Sequence, residues 1–182
     1  MVTLKNISLL LILIFTIGLT GCATNATTEN MTYSHPTTKK PIDTVLVNAI
    51  NVEDVSGGSE TNPLWLSSVN NENFKLAIID SFKSAHLYEQ LGHAHYMLNA
   101  QLMSLDRPWF GIDLTVTCKV HYHLYSTKNK KVLFDKDITS SYTAIFSDSV
   151  IAISRLRLAN EGAIKTNIKQ LIDDLYLLPM DQ

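Results

Sequence analysis

The chain has 182 residues, 46% of them hydrophobic, with 15 basic against 17 acidic side chains. That near-neutral balance excludes a global electrostatic pull toward nucleic acid or anionic lipid. Once an apolar leader is set aside, the length suffices for one ordinary domain and not for two.

Lys5 is the only charged residue before position 22, and Ile7 to Ile17 are almost entirely apolar. This run has the length of a secretory h-region and is shorter than the roughly 20 residues that a spanning helix needs. Gly18 and Gly21 then lead into Cys22. The segment Leu19-Thr20-Gly21-Cys22 resembles the lipobox of bacterial lipoprotein precursors. The resemblance implies a signal peptide over residues 1–21, a diacylglycerol on the Cys22 thiol, cleavage before it, and acylation of the new N-terminus. It implies no other cofactor. More than one acyl chain makes such anchoring stable where a single chain is marginal. Ala23, rather than Asp, follows the cysteine. By resemblance to the sorting rule of enterobacterial lipoproteins, this implies the outer membrane; a domain facing the periplasm is the expectation, and one facing the exterior the alternative. The alternative is an ordinary cleaved signal with a chance cysteine.

Residues 22–42 are rich in Thr and Asn, lack apolar periodicity and close on two prolines. They read as a disordered tether with an end-to-end span of about 25 Å. The single domain then runs over 43–182. Thr44 to Val52 is β-branched and apolar and predicts a first strand. Ser56 to Pro63 is a run of turn formers. Phe74, Ala77, Ile78, Ser81, Phe82 and Ala85 recur at helical spacing, with Asn71 or Asn73 as the cap and an end before Gly92.

Strict alternation follows. Tyr96, Leu98, Ala100 and Leu102 share one strand face, and Leu114, Val116, Cys118, Val120, Tyr122 and Leu124 share another. A third strand of this group spans about Val132 to Ala144. A long helix closes the chain, capped by Ser147 and stopped by Pro179. Its apolar stripe is Leu156, Ala159, Ala163, Ile164, Ile168, Leu171, Ile172 and Leu175. Arg157, Glu161 and Lys165 stack four apart on its flank and read as a solvated edge.

The order β-α-β-β-β-α predicts an α+β fold. It is a two-layer sandwich, a four-stranded, mainly antiparallel sheet with two helices on one face. This order resembles that of small outer-membrane lipoproteins, including the LptE-like lipopolysaccharide-assembly lipoproteins, and the closing helix, with Arg157, Ala159, Glu161, Ala163, Asn167-Ile168 and Leu171, resembles the tails of uncharacterised envelope lipoproteins. The resemblance covers residues 43–178 in topology and carries no functional residue across. It implies a non-catalytic accessory or assembly role.

No nucleophile elbow, phosphate loop, dinucleotide fingerprint, zincin helix or Cys-x-x-Cys is present. Asp135 and Asp137 share a strand face and can pair with Lys119 across it. His93 and His95 open one strand, and His121 and His123 lie in the next. A register that pairs Tyr96 with Tyr122 or Val120 brings these imidazoles together on the open face, as a site for zinc, copper or nickel. The plainer reading is four ordinary polar residues on a wet face. Trp65, Trp109 and Phe110 lie between regular elements and either cover the ends of the core or form a contact surface for a partner.

The reading is thus a lipid-anchored, non-enzymatic binding or assembly accessory. It has a membrane attachment and an envelope protein partner, and no nucleic-acid partner. The alternatives are a carrier of a small amphiphile or metal, and an enzyme without a recognisable motif.

Overall fold

The strongest alternation in the sequence becomes the second-to-last strand of the sheet. In β3 (Leu114–Ser126), every even position from 114 to 124 is buried. The computed structural model describes residues 24–36, 45–60, 68–108 and 110–178. The remaining elements are α1 (Thr28–Met31), β1 (Ile50–Ser56), α2 (Asn71–Ser84), β2 (Tyr96–Asp106), β4 (Val132–Ala144) and α3 (Ala152–Tyr176). The sheet order is β1-β2-β3-β4. β1 runs parallel to β2, across the α2 crossover, while the hairpin-linked pairs β2–β3 and β3–β4 are antiparallel. This is the expected α+β sandwich, with α2 against β1 and α3 against β3 and β4. No helix among the described residues is long and apolar enough to cross a membrane.

Both long helices bury the stripes that their spacing predicts. Phe74, Ala77, Ile78, Ser81 and Phe82 are buried on α2. All eight predicted stripe residues are buried on α3. A fully buried Leu, Ile or Phe contributes about 1.5–3 kcal/mol relative to an exposed one. Among them sits a polar chain: the Tyr122 hydroxyl donates to Asn167 Oδ1 (2.9 Å), and Asn167 Nδ2 donates to the Ile138 carbonyl (2.9 Å) and to Ser140 Oγ (3.1 Å). Cys118 Sγ lies 3.2 Å from the same Ser140 hydroxyl, and burial pushes its thiol pKa up. A buried thiol of raised pKa is a poor nucleophile.

Several boundaries differ from the sequence expectation. The first strand begins at Ile50, because Val45 to Ala49 form a turn in which Asn48 takes a left-handed φ of 48°. Asn tolerates that conformation better than the β-branched residues around it. Asn70, rather than Asn71 or Asn73, caps α2, its Oδ1 accepting from the Asn73 amide at 2.8 Å. α3 starts at Ala152 with no side-chain cap, so Ser147 is not its cap. Ser147 lies in a turn that Asp148 closes instead, with Oδ2 accepting from the Ile145 amide at 2.9 Å.

The largest departure is at the N-terminus. Residues 24–36, expected to be part of a disordered tether, form a strap that lies along α2 and contacts α3. Ala26 and Met31 are fully buried. The strap runs parallel to α2. The Ala26 carbonyl accepts from Asn73 Nδ2 at 2.8 Å, the Tyr33 amide donates to Ser81 Oγ at 2.8 Å, and the His35 amide donates to Ser84 Oγ at 2.7 Å. Its fixed point on α3 is Glu161. One carboxylate oxygen accepts from the Thr27 amide (2.9 Å), and the other accepts from Asn30 Nδ2 (2.9 Å). Glu161 is 1% exposed, so the Arg157–Glu161–Lys165 row is not a solvated edge. Its middle member is covered by the strap, and Arg157 Nη1 donates to Thr24 Oγ1 at 2.6 Å. Only Lys165 of the three is exposed.

Candidate functional site

The helices cover one face of the sheet and leave the other open. The open face is a ladder of directly opposed polar side chains. Thr115 faces Thr143, Thr117 faces Ser141, His121 faces Asp137 and His123 faces Asp135. Each pair is bonded: the two hydroxyl pairs at 2.8 Å, His121 Nδ1 to Asp137 at 2.8 Å, and His123 Nδ1 to Asp135 at 2.7 Å. Lys119 joins Asp137 at 2.8 Å, as its sequence position suggested. The row continues where Tyr125 donates to Glu53 (2.7 Å), which also accepts from Asn99 Nδ2 (3.0 Å). Lys130 lies over the Tyr125 ring at 4.6 Å. Opposed hydroxyl pairs such as Thr115–Thr143 each contribute about 0.2–1 kcal/mol.

The four histidines expected to converge do not. Tyr96 pairs with Ser126, not with Tyr122 or Val120. His123 therefore faces Asn99, His121 faces Gln101, and His95 precedes the strand, its carbonyl accepting from the Thr127 amide. Four residues separate His95 from the position opposite His123, about 13 Å along a strand. His93 belongs to a loop held by Glu89, which accepts from the backbone amides of Leu91, Gly92 and His93. Among the described residues, no three His, Cys, Asp or Glu side chains converge as metal ligands. The pairing of these aspartates with histidine was the missed signal: each imidazole of β3 meets an acid of β4, which alternation alone does not reveal.

The ladder sets an acid sensitivity. Hydrogen bonds from Lys119 and then His121 hold the Asp137 carboxyl below the usual range, and bonds from Tyr125 and then Asn99 do the same for Glu53. A carboxylate depressed in the folded state stabilises the fold above its unfolded pKa, and that contribution is lost as pH falls through the folded value. The urea midpoint is therefore expected to hold from neutrality to about pH 4 and to fall below it. Lys119→Met and Tyr125→Phe should flatten that fall. An unchanged slope in the double variant would contradict the assignment.

A second region lies at the end of the sheet where β2 and β4 finish and β3 and α3 begin. Phe110 is 91% exposed, Ile112 74%, Phe146 51%, Val150 73% and Ile151 52%. The turn after β4 is rigid: the Asp148 amide returns to the Ile145 carbonyl at 3.0 Å, and the Phe146 amide donates to Asp113 Oδ1 at 3.0 Å. Arg155 backs it, its guanidinium 5.4 Å from the Phe146 ring. Phe110 is thus exposed and does not cover the end of the core. Trp65, Trp109 and Cys22, with the rest of the lipobox, lie outside the described residues.

No family model matches the chain, and no curated protein does. Solved structures share its fold at low identity. A DUF330 protein of Xanthomonas campestris aligns over 71% of this chain and 84% of its own, at 11% identity and a TM-score of 0.54. A protein of Caulobacter crescentus CB15, described as a “putative lipoprotein”, aligns over 72% and 90%, at 15% identity and 0.51. A hypothetical protein of Chlamydia trachomatis aligns over 71% and 96%, at 8% identity and 0.52. At such identities the likeness is one of fold: the chain has the same sheet-and-helix architecture as these three proteins.

Proposed function

We propose that the chain is a lipoprotein of the bacterial outer membrane, held by lipid on Cys22 and facing the periplasm. Its role in this reading is that of a non-enzymatic binding or assembly accessory. The lipobox-like Leu19-Thr20-Gly21-Cys22 supports the anchor, and the fold shared with the Caulobacter protein is in keeping with it. The observation that carries the binding role is the uncovered sheet face. Its side chains are already held in bonded pairs, from Thr115–Thr143 to Glu53–Tyr125. Groups fixed before contact lose little freedom on docking, so such a face suits recognition of a protein surface. The space between helices and sheet is occupied by Phe74, Phe82, Leu98, Tyr122, Ile164 and Ile168, all fully buried.

The test is capture of the full chain from detergent-solubilised native membranes, with photo-crosslinkers at Gln101 and Thr117 on the open face. A stoichiometric protein crosslinked from these positions is the expected result. Lipid or metal co-purifying in place of protein would overturn the accessory role in favour of a carrier.

A further inference from the structure

The strap changes what an anchor at Cys22 implies. Thr24 is bonded to Arg157 on α3, and the Ala26 amide donates to the Ser68 carbonyl at 3.0 Å. Only Ala23 separates Thr24 from Cys22. Two residues of chain span at most about 7 Å. A lipid on Cys22 therefore reaches the bilayer only if this end of the domain lies on it. Arg155 contacts the Phe146 loop and Arg157 holds Thr24, and these two residues differ in height along α3 by about 3 Å. They lie on opposite flanks of the helix, so the chain exit and the apolar loop occupy one end of the molecule.

We infer that this end is a membrane-contact surface, with Phe110, Ile112, Phe146, Val150 and Ile151 seated in the interfacial layer of the same bilayer that receives the anchor. The inference rests on the anchor reading. Singly exposed apolar residues are ordinary, but five on two bonded loops form a patch. The turn that carries Phe146 is closed by Asp148 and Asp113, so it presents the ring outward at no further ordering cost. The surrounding charges balance: Asp106, Asp113 and Asp148 against Arg107, Arg155 and Arg157. Apolar insertion rather than attraction to anionic headgroups drives the contact, and it is insensitive to salt. The opposite end carries the β3–β4 hairpin with Lys128, Lys130 and Lys131 and points away from the lipid.

The test uses the full lipidated chain with Phe110→Cys, Val150→Cys or Lys128→Cys, each labelled with an environment-sensitive NBD dye. Cys118 is fully buried and spared by native labelling. The proteins are reconstituted in phosphatidylcholine vesicles with acyl-chain bromines as quenchers, and palmitate incorporation is measured on the same samples. Quenching at 110 and 150 by at least twofold, unchanged by salt, with none at 128, is the expected result. Palmitate present with all three dyes unquenched overturns the contact surface and leaves the anchor standing. Palmitate absent with no quenching overturns both. Quenching at 110 and 150 without palmitate, above that of the unsubstituted chain labelled in the same way to report dye on a free Cys22, retains the surface and removes the anchor; quenching no greater than that control overturns both.

Discussion

Glu161→Ala is expected to cost about 2–4 kcal/mol of folding stability and to release the strap. The carboxylate is 1% exposed and serves both the Thr27 amide and Asn30 Nδ2. Arg157 Nε also lies 3.7 Å from it. Removing it takes the acceptor from the half-buried Thr27 amide and from the Asn30 side chain, and the nearest carboxylate from Arg157, which keeps Thr24 Oγ1; a donor left unmet beneath the strap costs more than the net gain of making such a bond. Ala26 and Met31 lose their cover when the strap lifts, so the effect exceeds the carboxylate's own bonds. Glu161→Gln should fall between wild type and alanine, because its amide NH2 opposes a donor where an oxygen stood. Denaturant unfolding gives the magnitude. Amide exchange gives the location: Ala26, Thr27 and Met31 should lose protection while the β3 amides keep theirs. A loss under about 1 kcal/mol, or protection retained along the strap, would contradict the role assigned to Glu161.

Gly57→Ala should be the second large loss, with Gly92→Ala as its internal control. Both glycines hold positive φ, 80° and 83°. A Cβ at Gly57 would stand 2.1 Å from the Leu102 carbonyl oxygen, whereas a Cβ at Gly92 meets nothing within 4 Å. The left-handed conformation alone costs an alanine about 1–2 kcal/mol. That is the whole expectation at Gly92. At Gly57 the obstacle is backbone of β2, beside the irregularity in its pairing between Leu102 and Ser104. It cannot yield without disturbing the sheet, and overpacking of this kind adds about 1–3 kcal/mol. The difference between the two variants, read from urea midpoints at equal m-value, isolates the contact from the backbone strain. Equal losses would mean that β1 and β2 separate more easily than the parallel pairing implies.

The alternation of β3 was legible to the last residue because period two has one solution when one face is buried. Its register was not. Tyr96 pairs with Ser126 because the β2–β3 connection, 107–113, and the irregularity at Leu102/Ser104 fix the offset. Neither leaves a mark in the hydrophobic pattern. The error in register removed the four-histidine site and replaced it with two His–Asp pairs. On α3, the spacing of Arg157, Glu161 and Lys165 is the same whether water or protein covers it. What covers Glu161 is a segment more than 130 residues earlier in the chain, held by backbone amides and by Ser, Thr and Asn side chains. Such a strap carries its apolar residues singly, Ala26, Met31 and Tyr33, without periodicity, so composition reads it as tether. Asn48 shows the same limit on a smaller scale: one left-handed residue moves the start of β1 from Thr44 to Ile50.

Metabolic labelling of the full-length protein with palmitate, beside Cys22→Ser, bears most directly on the whole reading. Label in the wild type, a mature N-terminus at residue 22, and loss of label, processing and membrane recovery in the variant are the predicted outcome. A wild-type protein that carries no label, or a serine variant processed and retained at the membrane as before, would show that something other than lipid on this thiol places the domain.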